Sequence, residues 1–251
     1  MHDRYKAKAV GKAMHLYSLK RDAAEPDVKM ERYFLGPLVD EPASLVHKAI
    51  ASSGVRSLAE DQKIVWSRFL VSLILRVPAM MAHLRARGRT VLERGLDEDA
   101  EGYRDVRGEA TEETLKDWVQ KHRPWEFDDL GVNTLPHLVG SRKLNTVFLQ
   151  NAIWATRRLR ATSMDFLIAD RPLIYVGQMD KSFLCVLPLS PRLAFFACDK
   201  KATWDNVNRN TDRVLAQDIN RAMVGNAERY VYATSAQHEP LIHKYLRKAM
   251  A

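Results

Sequence analysis

Two aspartates and a lysine in the C-terminal third have the residue types of a metal-dependent nuclease site. Asp170 stands at the predicted end of a strand, and Asp199 and Lys201 follow the predicted strand Leu193–Cys198. Carboxylates bind the hard cation Mg²⁺, and a lysine can assist the attacking water or the phosphate. The pattern predicts a catalytic set of Asp170, Asp199 and Lys201, with Mg²⁺ as the metal if the protein is a nuclease. The alternative is structural, because an aspartate before a turn also caps backbone N–H groups.

Three further polar residues are candidate binding groups. Arg76 interrupts the apolar face of a predicted helix, where a buried guanidinium needs a partner. We expect it to pair with Asp40 or Asp170, either as a structural salt bridge or as an anion-binding group in a cleft. Arg229 at the start of a strand raises the same alternative. Asn220, on the preceding helix, is expected to hydrogen-bond backbone nearby.

Basic residues crowd the ends of two predicted helices. Arg157 and Arg158 lie near the C-terminal end of a helix predicted over residues 142–161, where cations also suit the helix dipole. The terminal helix, predicted over residues 239–250, has basic side chains at positions 244, 247 and 248, which share one face. We expect these helices to present a positive face that binds nucleic-acid phosphates. The alternative is charge complementarity at the helix ends together with solubility.

Several enzyme classes are excluded because their motifs are missing. The sequence has no P-loop, no glycine-rich dinucleotide turn, no Gly-x-Ser-x-Gly elbow and no His-Glu-x-x-His, which argues against ATPases, dehydrogenases, serine hydrolases and zincins. Its two cysteines rule out a disulfide framework and suit a reducing compartment. The longest apolar run falls far short of the roughly 20 residues that cross a membrane. We therefore expect a cytoplasmic protein with no membrane partner, and the sequence leaves its oligomeric state open.

Charge is distributed unevenly along the 251 residues, whose net charge is +8. Residues 1–88 and 130–251 carry +6 and +8, whereas residues 89–129 carry −6. The basic flanks favour a polyanionic partner. The acidic segment is typical of a solvated helical insert, and the alternative is that it docks onto a protein partner.

Hydrophobic periodicity predicts helices in the first half of the chain and strands in the second. Apolar residues from Val65 to Leu84 recur at helical spacing, with a kink expected at Pro78. Later the period becomes two, and short strands are predicted over residues 164–169, 173–176, 182–187, 193–198 and 229–233. Their short connections favour antiparallel pairing. The predicted fold class is therefore α+β: a helical N-terminal half packed on a small, mainly antiparallel C-terminal sheet. We expect a single domain over residues 1–251, with an acidic helical excursion at about 89–140.

Four segments, in order, resemble the bacterial domain-of-unknown-function family 4238. They are Trp154 followed by Phe166-Leu167-Ile168-Ala169-Asp170-Arg171-Pro172, then Leu187-Pro188-Leu189-Ser190-Pro191-Arg192-Leu193-Ala194, then Asn220 within Asp218-Ile219-Asn220-Arg221, and finally Ala227-Glu228-Arg229-Tyr230-Val231-Tyr232. Upstream, residues 36–40 and 76–78 are similar to the family as well. The chain departs from the family in lacking its usual opening His-Tyr-x-Pro segment.

The resemblance implies a biological setting and supplies no mechanism. Members of the family recur among bacterial accessory and phage-defence genes, which implies an effector of a phage-defence or toxin type. Together with the basic flanks, this makes a nucleic-acid-acting effector the leading expectation, with nuclease activity as one form of it. The alternative is a non-catalytic protein-interaction module. Convergence of Asp170, Asp199, Arg76 and Arg229 in one cleft would favour the enzyme.

Overall fold

The computed structural model describes residues 17, 19–20, 28–98, 102–104, 108, 110–160, 164–178 and 182–249, without the side chains of residues 247–249. The chain divides into two compact units. The described part of the first unit falls within Pro42–Leu73 and Arg142–Ala251, and that of the second within Met14–Glu41 and Ile74–Ser141. The expectation of a single domain stays a prediction.

Helices make up most of the first half of the chain. The α-helices whose two ends are both described are α1 (Glu41–Ser53), α2 (Glu60–Leu75), α3 (Pro78–Glu98), α4 (Leu115–His122), α5 (Glu126–Asn133), α6 (Leu135–Val139), α7 (Arg142–Leu149), α8 (Lys201–Arg209), α9 (Asp212–Asn226) and α10 (Glu239–Ala249). A π-helix over Met30–Asp40 precedes α1, and short 3₁₀ turns cover Val55–Ser57 and Ala236–His238.

Strands follow in the second half and pair antiparallel. They are β1 (Ile153–Arg158), β2 (Ile168–Ala169), β3 (Ile174–Gln178), β4 (Ser182–Ser190), β5 (Leu193–Cys198) and β6 (Val231–Tyr232). One sheet has four strands in the order β1-β5-β4-β3, and β2 pairs with β6 in a second sheet. The α+β class and the antiparallel sheet are confirmed.

The core of the first unit explains why β5 is a continuous apolar run. β5 lies between β1 and β4, and all six of its residues are buried. On one face Phe195 makes an edge contact with Trp66 of α2, with ring centroids 5.6 Å apart. On the other face Phe196 contacts Trp204 of α8 and joins a cluster with apolar residues of α9. A strand covered on both faces loses the polar alternation of a half-exposed strand.

The prediction of one helix over residues 142–161 is wrong for the second half of that range. α7 ends at Leu149, and β1 begins at Ile153 and pairs with β5 over its whole length. Trp154, which lies within the predicted helix, is on β1 and donates its indole N–H to the carbonyl of Phe148 at 2.9 Å. Pairing with β5 therefore overrides the local helical spacing, and Arg157 and Arg158 lie on a strand.

The kink expected at Pro78 is a complete break between two helices. α2 ends at Leu75 and α3 begins at Pro78 itself. Proline suits a first helical position because its missing N–H would have no intrahelical partner there. The intervening residue Arg76 thereby leaves the helix and becomes available for a contact outside it.

In the second unit, α3 and α5 approach each other closely at two glycines. A Cβ on Gly131 would overlap the backbone carbonyl of Leu84, and a Cβ on Gly88 would overlap the backbone nitrogen of Gly131. Farther along, Leu96, Val119 and Phe127 form a small buried cluster joining α3, α4 and α5. The two glycines allow backbones to meet where any side chain would hold them apart.

Within the described ranges, no single helix is long and apolar enough to cross a membrane, although α2 and α3 together have the required length and composition.

Candidate functional site

Asp170 closes a loop through its carboxylate. Its Oδ1 accepts the backbone N–H of Glu228 at 2.9 Å, and its Oδ2 accepts those of Arg229 and Tyr230 at 2.7 and 3.2 Å. The Asp170 N–H in turn donates to the carbonyl of Tyr230 at 3.0 Å. The carboxylate therefore caps the segment leading into β6, which is the structural alternative for this residue.

Asn220 links the segment before β2 to helix α9. The side chain is fully buried, and its Oδ1 accepts the Leu167 N–H at 2.8 Å. Its Nδ2 donates to the Asp165 carbonyl, also at 2.8 Å. The expected hydrogen bonding to backbone is confirmed, and both polar ends of the amide are used in it. Arg229, one of the predicted binding residues, is exposed and contributes its backbone N–H to the Asp170 cap.

Asp199 and Lys201 face different partners. Asp199 accepts the Phe183 N–H at 3.2 Å and the Ser182 hydroxyl at 3.3 Å, at the start of β4. Lys201 is 81% exposed and pairs with Asp205 one helical turn away at 3.0 Å. Among the described residues, Asp170, Asp199 and Lys201 therefore share no hydrogen-bond or ion-pair partner. In the described parts of the chain, no group of three or more His, Cys, Asp or Glu side chains could hold a metal ion.

Burial raises the pKa of both cysteine thiols, Cys185 and Cys198. Burial, reinforced by the Asp199 carboxylate, raises the pKa of the Cys198 thiol. Burial also raises the pKa of the Cys185 thiol far above its usual range. Both thiols are therefore held protonated, and neither is a nucleophile near neutral pH.

Arg76 pairs with Asp40, which is one of its two expected partners. Its Nη1 lies 2.8 Å from the Asp40 Oδ2, and the arginine side chain is 15% exposed. Its backbone carbonyl accepts the Tyr17 hydroxyl at 2.8 Å. The contact joins the end of the π-helix Met30–Asp40 to the break between α2 and α3, both within the second unit. The guanidinium serves as a structural salt bridge.

Arg157 holds the turn between α8 and α9. Its Nη1 donates to the Asn208 carbonyl at 2.8 Å, and its Nη2 donates to the Asn210 carbonyl and to Asp212 Oδ1, both at 3.0 Å. Asp212 also accepts the backbone N–H of Arg160 at 2.6 Å through its Oδ2. This network of charge-assisted hydrogen bonds fixes the end of β1 against the start of α9.

A cavity of about 510 Å³ opens beside this network, entirely within the first unit. The lining residues come from the C-terminal turn of α1, the end of β1 and the starts of β5 and α9: Ile50, Ala51, Ser52, Gly54, Thr156, Arg157, Arg158, Arg160, Leu193 and Asp212. Three arginines against one aspartate leave the lining with a net charge of +2. We call it the arginine cavity.

Two of the three guanidiniums remain available for an anion. Arg158 Nη2 donates to the carbonyl of Ala51 at 3.2 Å and forms no ion pair with a described residue. Arg160 is exposed, and its side chain has no partner among the residues that the structure describes. Arg209 and Arg213, which flank the turn held by Arg157, are also exposed and unpaired within those residues. The arginine cavity is therefore the start of a wider basic surface.

Of the basic face predicted on the terminal helix, the structure describes the side chain of Lys244. The ammonium of Lys244 lies over the Tyr245 ring at 5.5 Å, and the guanidinium of Arg221 lies over the same ring at 5.3 Å. The side chains at positions 247 and 248 lie outside the described residues. Tyr245 of α10 thus packs against Arg221 of α9, and none of the described residues that line the arginine cavity lies on α10.

The sequence did not predict that the end of α1 forms one wall of the arginine cavity. The run Ser52-Ser53-Gly54 indicated only where the helix stops. Gly54 has φ of +79°, a left-handed conformation that suits glycine, and it turns the chain beside Thr156 of β1. The stop signal was visible, but nothing local to it indicated that β1 would lie opposite.

The chain is similar to a known protein family. The model of a family described as "Protein of unknown function (DUF4238)" matches residues 3–237 of the chain. Residues 1–16, where the family's opening segment was expected, lie outside the described residues. Neither the comparison with curated proteins nor the comparison with solved structures found a match.

Proposed function

Because the chain belongs to this family, whose description states no activity, we propose its function from the geometry: it binds nucleic acid through the arginine cavity. The observation that carries the proposal is the pair Arg158 and Arg160, two guanidiniums without an ion-pair partner among the described residues at one cavity. Phosphates are the anions that nucleic acids offer, and arginine binds them with charge-assisted hydrogen bonds.

The flanking basic residues extend the proposed interface beyond the cavity. Arg209 and Arg213 stand on either side of the α8–α9 turn, whose acid Asp212 is already neutralised by Arg157. A strand of phosphates needs several cations in succession, and this turn supplies them next to Arg160. Arg157 itself is a positioning residue, because its donors are used within the protein.

The effector part of the proposal comes from the resemblance. An effector of a phage-defence or toxin type would act on nucleic acid, and binding at the arginine cavity fits such a role. Hydrolysis would need groups other than Asp170, Asp199 and Lys201, since each of these is engaged elsewhere. Nuclease activity therefore stays a prediction without assigned residues.

The salt dependence of binding tests the proposal. We expect labelled single-stranded and duplex oligonucleotides to bind at low salt and to weaken steeply as salt rises. Each phosphate contact contributes about −0.9 to the log–log slope on duplex DNA and about −0.7 on single strands. Replacing both cavity arginines (Arg158→Gln with Arg160→Gln) should flatten the slope by about 1.4 on a single strand. Fluorescence anisotropy across a salt series measures the slope.

The control is an arginine of equal charge on the other unit. Arg94 is 75% exposed on α3 and, among the described residues, pairs with Glu98 one turn away, so Arg94→Gln should leave the slope unchanged. An equal effect per removed charge for the cavity pair and for Arg94→Gln would reduce the proposal to non-specific attraction by net charge. No binding by the unmodified protein at low salt would refute it.

The alternative of a protein-interaction module rests on the acidic segment 89–129 together with the basic flanks, and the structure bears on the acidic part. Most of its described acids have partners inside the second unit: Asp97 with Lys116, Glu98 with Arg94, Glu112 with Lys121, Glu126 with Arg123, and Asp128 with Lys20 and Arg89. A basic partner would therefore have to compete with these intramolecular ion pairs. The observation favours nucleic-acid binding over docking through this segment.

A further inference from the structure

The hydrogen-bond acceptors along the arginine cavity are largely engaged within the protein. At the C-terminal turn of α1, three acceptors have donors: the Ile50 carbonyl accepts the N–H of Gly54 at 3.0 Å, the Ala51 carbonyl accepts Arg158 at 3.2 Å, and the Ser52 hydroxyl oxygen lies 3.3 Å from that of Ser53. At the start of α9, both carboxylate oxygens of Asp212 also accept hydrogen bonds. The cavity therefore gives a ligand's donors little to bind and favours a ligand that carries only acceptors.

Arg158 and Arg160 supply the remaining donors, and they lie on one side of the chain. Leu159 between them is buried, and its N–H donates to the Arg192 carbonyl at 2.8 Å, so the chain stays extended past the end of β1. Alternate residues of an extended chain point the same way, with Cα atoms about 6.6 Å apart. Both guanidiniums can therefore reach one anion, and each offers a fork of N–H groups.

We propose that the arginine cavity binds the terminal phosphate monoester of a nucleic-acid strand. The proposal deepens the proposed function and rests on it. An internal phosphodiester carries one negative charge, whereas a terminal monoester carries about −1.5 to −2 at pH 7 and has three terminal oxygens that accept hydrogen bonds. The monoester therefore matches two guanidiniums and the net charge of +2 in the lining, and the diester matches half of that charge.

Labelled single-stranded RNAs that differ only at their ends test the proposal. One has a 5′-phosphate, one has a 3′-phosphate, and one has hydroxyl groups at both ends. A hydroxyl-ended RNA that is longer by two nucleotides corrects for net charge, because each nucleotide adds one charge and the monoester adds two. We expect at least one phosphorylated strand to bind about 10-fold more tightly than this charge-matched strand, because it gains one charge-assisted hydrogen bond.

The preference for a phosphorylated end should also depend on pH. The second pKa of a phosphate monoester is about 6, so the dianion fraction falls about fourfold from about pH 7.5 to about pH 5.5. The described charged groups in the lining are three arginines, which stay protonated throughout, and Asp212. Measuring the charge-matched strand at each pH corrects for titration of the protein. The affinity ratio of the phosphorylated to the charge-matched strand should fall from about 10 to about 3.

Variants inside and outside the lining separate the cavity from the wider basic surface. Arg160→Gln removes a guanidinium without a partner among the described residues, so the fold should stay intact and the affinity ratio should fall towards unity. Arg213→Gln is the matched control, because Arg213 is exposed next to Asp212 and outside the lining. It should weaken the phosphorylated and the charge-matched strands alike and leave their affinity ratio unchanged.

The outcomes distinguish this inference from the function beneath it. Equal affinity for the phosphorylated and the charge-matched strands would overturn the terminal-phosphate site and leave the proposed function in place. A preference that Arg160→Gln does not lower would remove the terminal phosphate from the arginine cavity. An affinity ratio that stays constant across the pH range would contradict recognition of the dianion. Absence of binding to every strand at low salt would refute the proposed function and this inference together.

Discussion

At the scale of single residues, the polar groups in the family's strings act on the backbone. Asp170 receives three backbone N–H groups, and Asn220 uses both ends of its amide on backbone. Asn226, at the end of α9, likewise donates to the carbonyls of Arg171 and Leu173. These contacts hold the irregular segments around β2 to α9 and β6, where few ladder hydrogen bonds are available.

Replacing the Asp170 carboxylate should therefore cost stability. Asp170→Asn keeps one oxygen and presents an NH₂ group to backbone donors, so at least one N–H loses its acceptor. Hydrogen bonds to charged groups contribute about 1.5–3 kcal/mol, and we expect a loss of that order in urea unfolding. Asp218→Asn, an exposed acid on α9, is the control and should change stability by less than about 0.5 kcal/mol. Unchanged stability with altered activity would restore Asp170 as a catalytic candidate.

Glu112 gives the second unit a dependence on acid pH. The hydrogen bond from Lys121, helped by a backbone N–H, lowers the pKa of Glu112 to about 2 from its ordinary value of 4.5. A lowered folded-state pKa adds stability above the unfolded pKa, and this stability disappears as pH falls from about 4.5 towards 2. Glu112→Gln should be less stable at pH 7, and the difference from the unmodified protein should vanish over that window.

Unfolding by urea at several pH values measures the Glu112 effect. Glu113→Gln changes the adjacent, exposed acid, which forms no ion pair within the described residues, and should leave the pH profile unchanged. A stability difference between Glu112→Gln and the unmodified protein that stays constant from pH 7 to pH 2 would contradict the assignment.

Some residue roles follow from the chemistry of one side chain and could be predicted from the sequence. Others depend on tertiary contacts and could not. The Arg76–Asp40 pair followed from one argument, that a guanidinium on an apolar face needs a nearby carboxylate. The clamp of Arg157 depends on Asp212, 55 residues away, and on a strand that the local pattern predicted as helix. A contact of that kind is fixed by tertiary pairing, which single-residue chemistry does not contain.

At the scale of elements, the crossing of α3 and α5 is set by glycine. Gly131→Ala should push the helices apart, because its Cβ would overlap the Leu84 carbonyl, which belongs to rigid helix backbone. Overpacking of this kind typically costs about 1–3 kcal/mol. Gly95→Ala on the same α3 meets nothing within 4 Å and should instead stabilise the protein by about 0.5–1 kcal/mol. Thermal melts of the two variants should shift in opposite directions, and a shared sign would contradict the crossing.

The errors in predicting elements share one cause. Strands β3, β4 and β5 were predictable as short apolar runs between turn residues, and the interruption at Pro78 because proline acts locally. β1 was not, since Ile153 and Trp154 continue the apolar spacing of α7 and only their pairing with β5 makes them a strand. Because β1 was not predicted, Arg157 and Arg158 were placed on a helix, and the arginine cavity was not predicted either.

At the scale of the whole molecule, charge separates by unit. Pro42–Leu73 and Arg142–Ala251 contain 21 basic and 11 acidic residues, a net charge of +10. Met14–Glu41 and Ile74–Ser141 contain 14 basic and 19 acidic residues, a net charge of −5. The modest total of +8 hides this contrast. A polyanion should therefore approach the first unit, which carries the arginine cavity, and be repelled by the second.

Hydrogen exchange with bound RNA should show this division directly. Binding raises the free energy of only those opening motions that disrupt the binding site, by RT ln(1 + [L]/Kd). At a free RNA concentration 100 times the Kd, the amides exposed by these motions should therefore exchange about 100-fold more slowly. We expect slowing at the C-terminal turn of α1, the end of β1 and the α8–α9 turn, with amides of Ile74–Ser141 unchanged. The double variant Arg158→Gln with Arg160→Gln should show less slowing at the same RNA concentration, because its weaker binding lowers [L]/Kd. Slowing confined to Ile74–Ser141 would place the interface on the acidic unit and remove the arginine cavity from it.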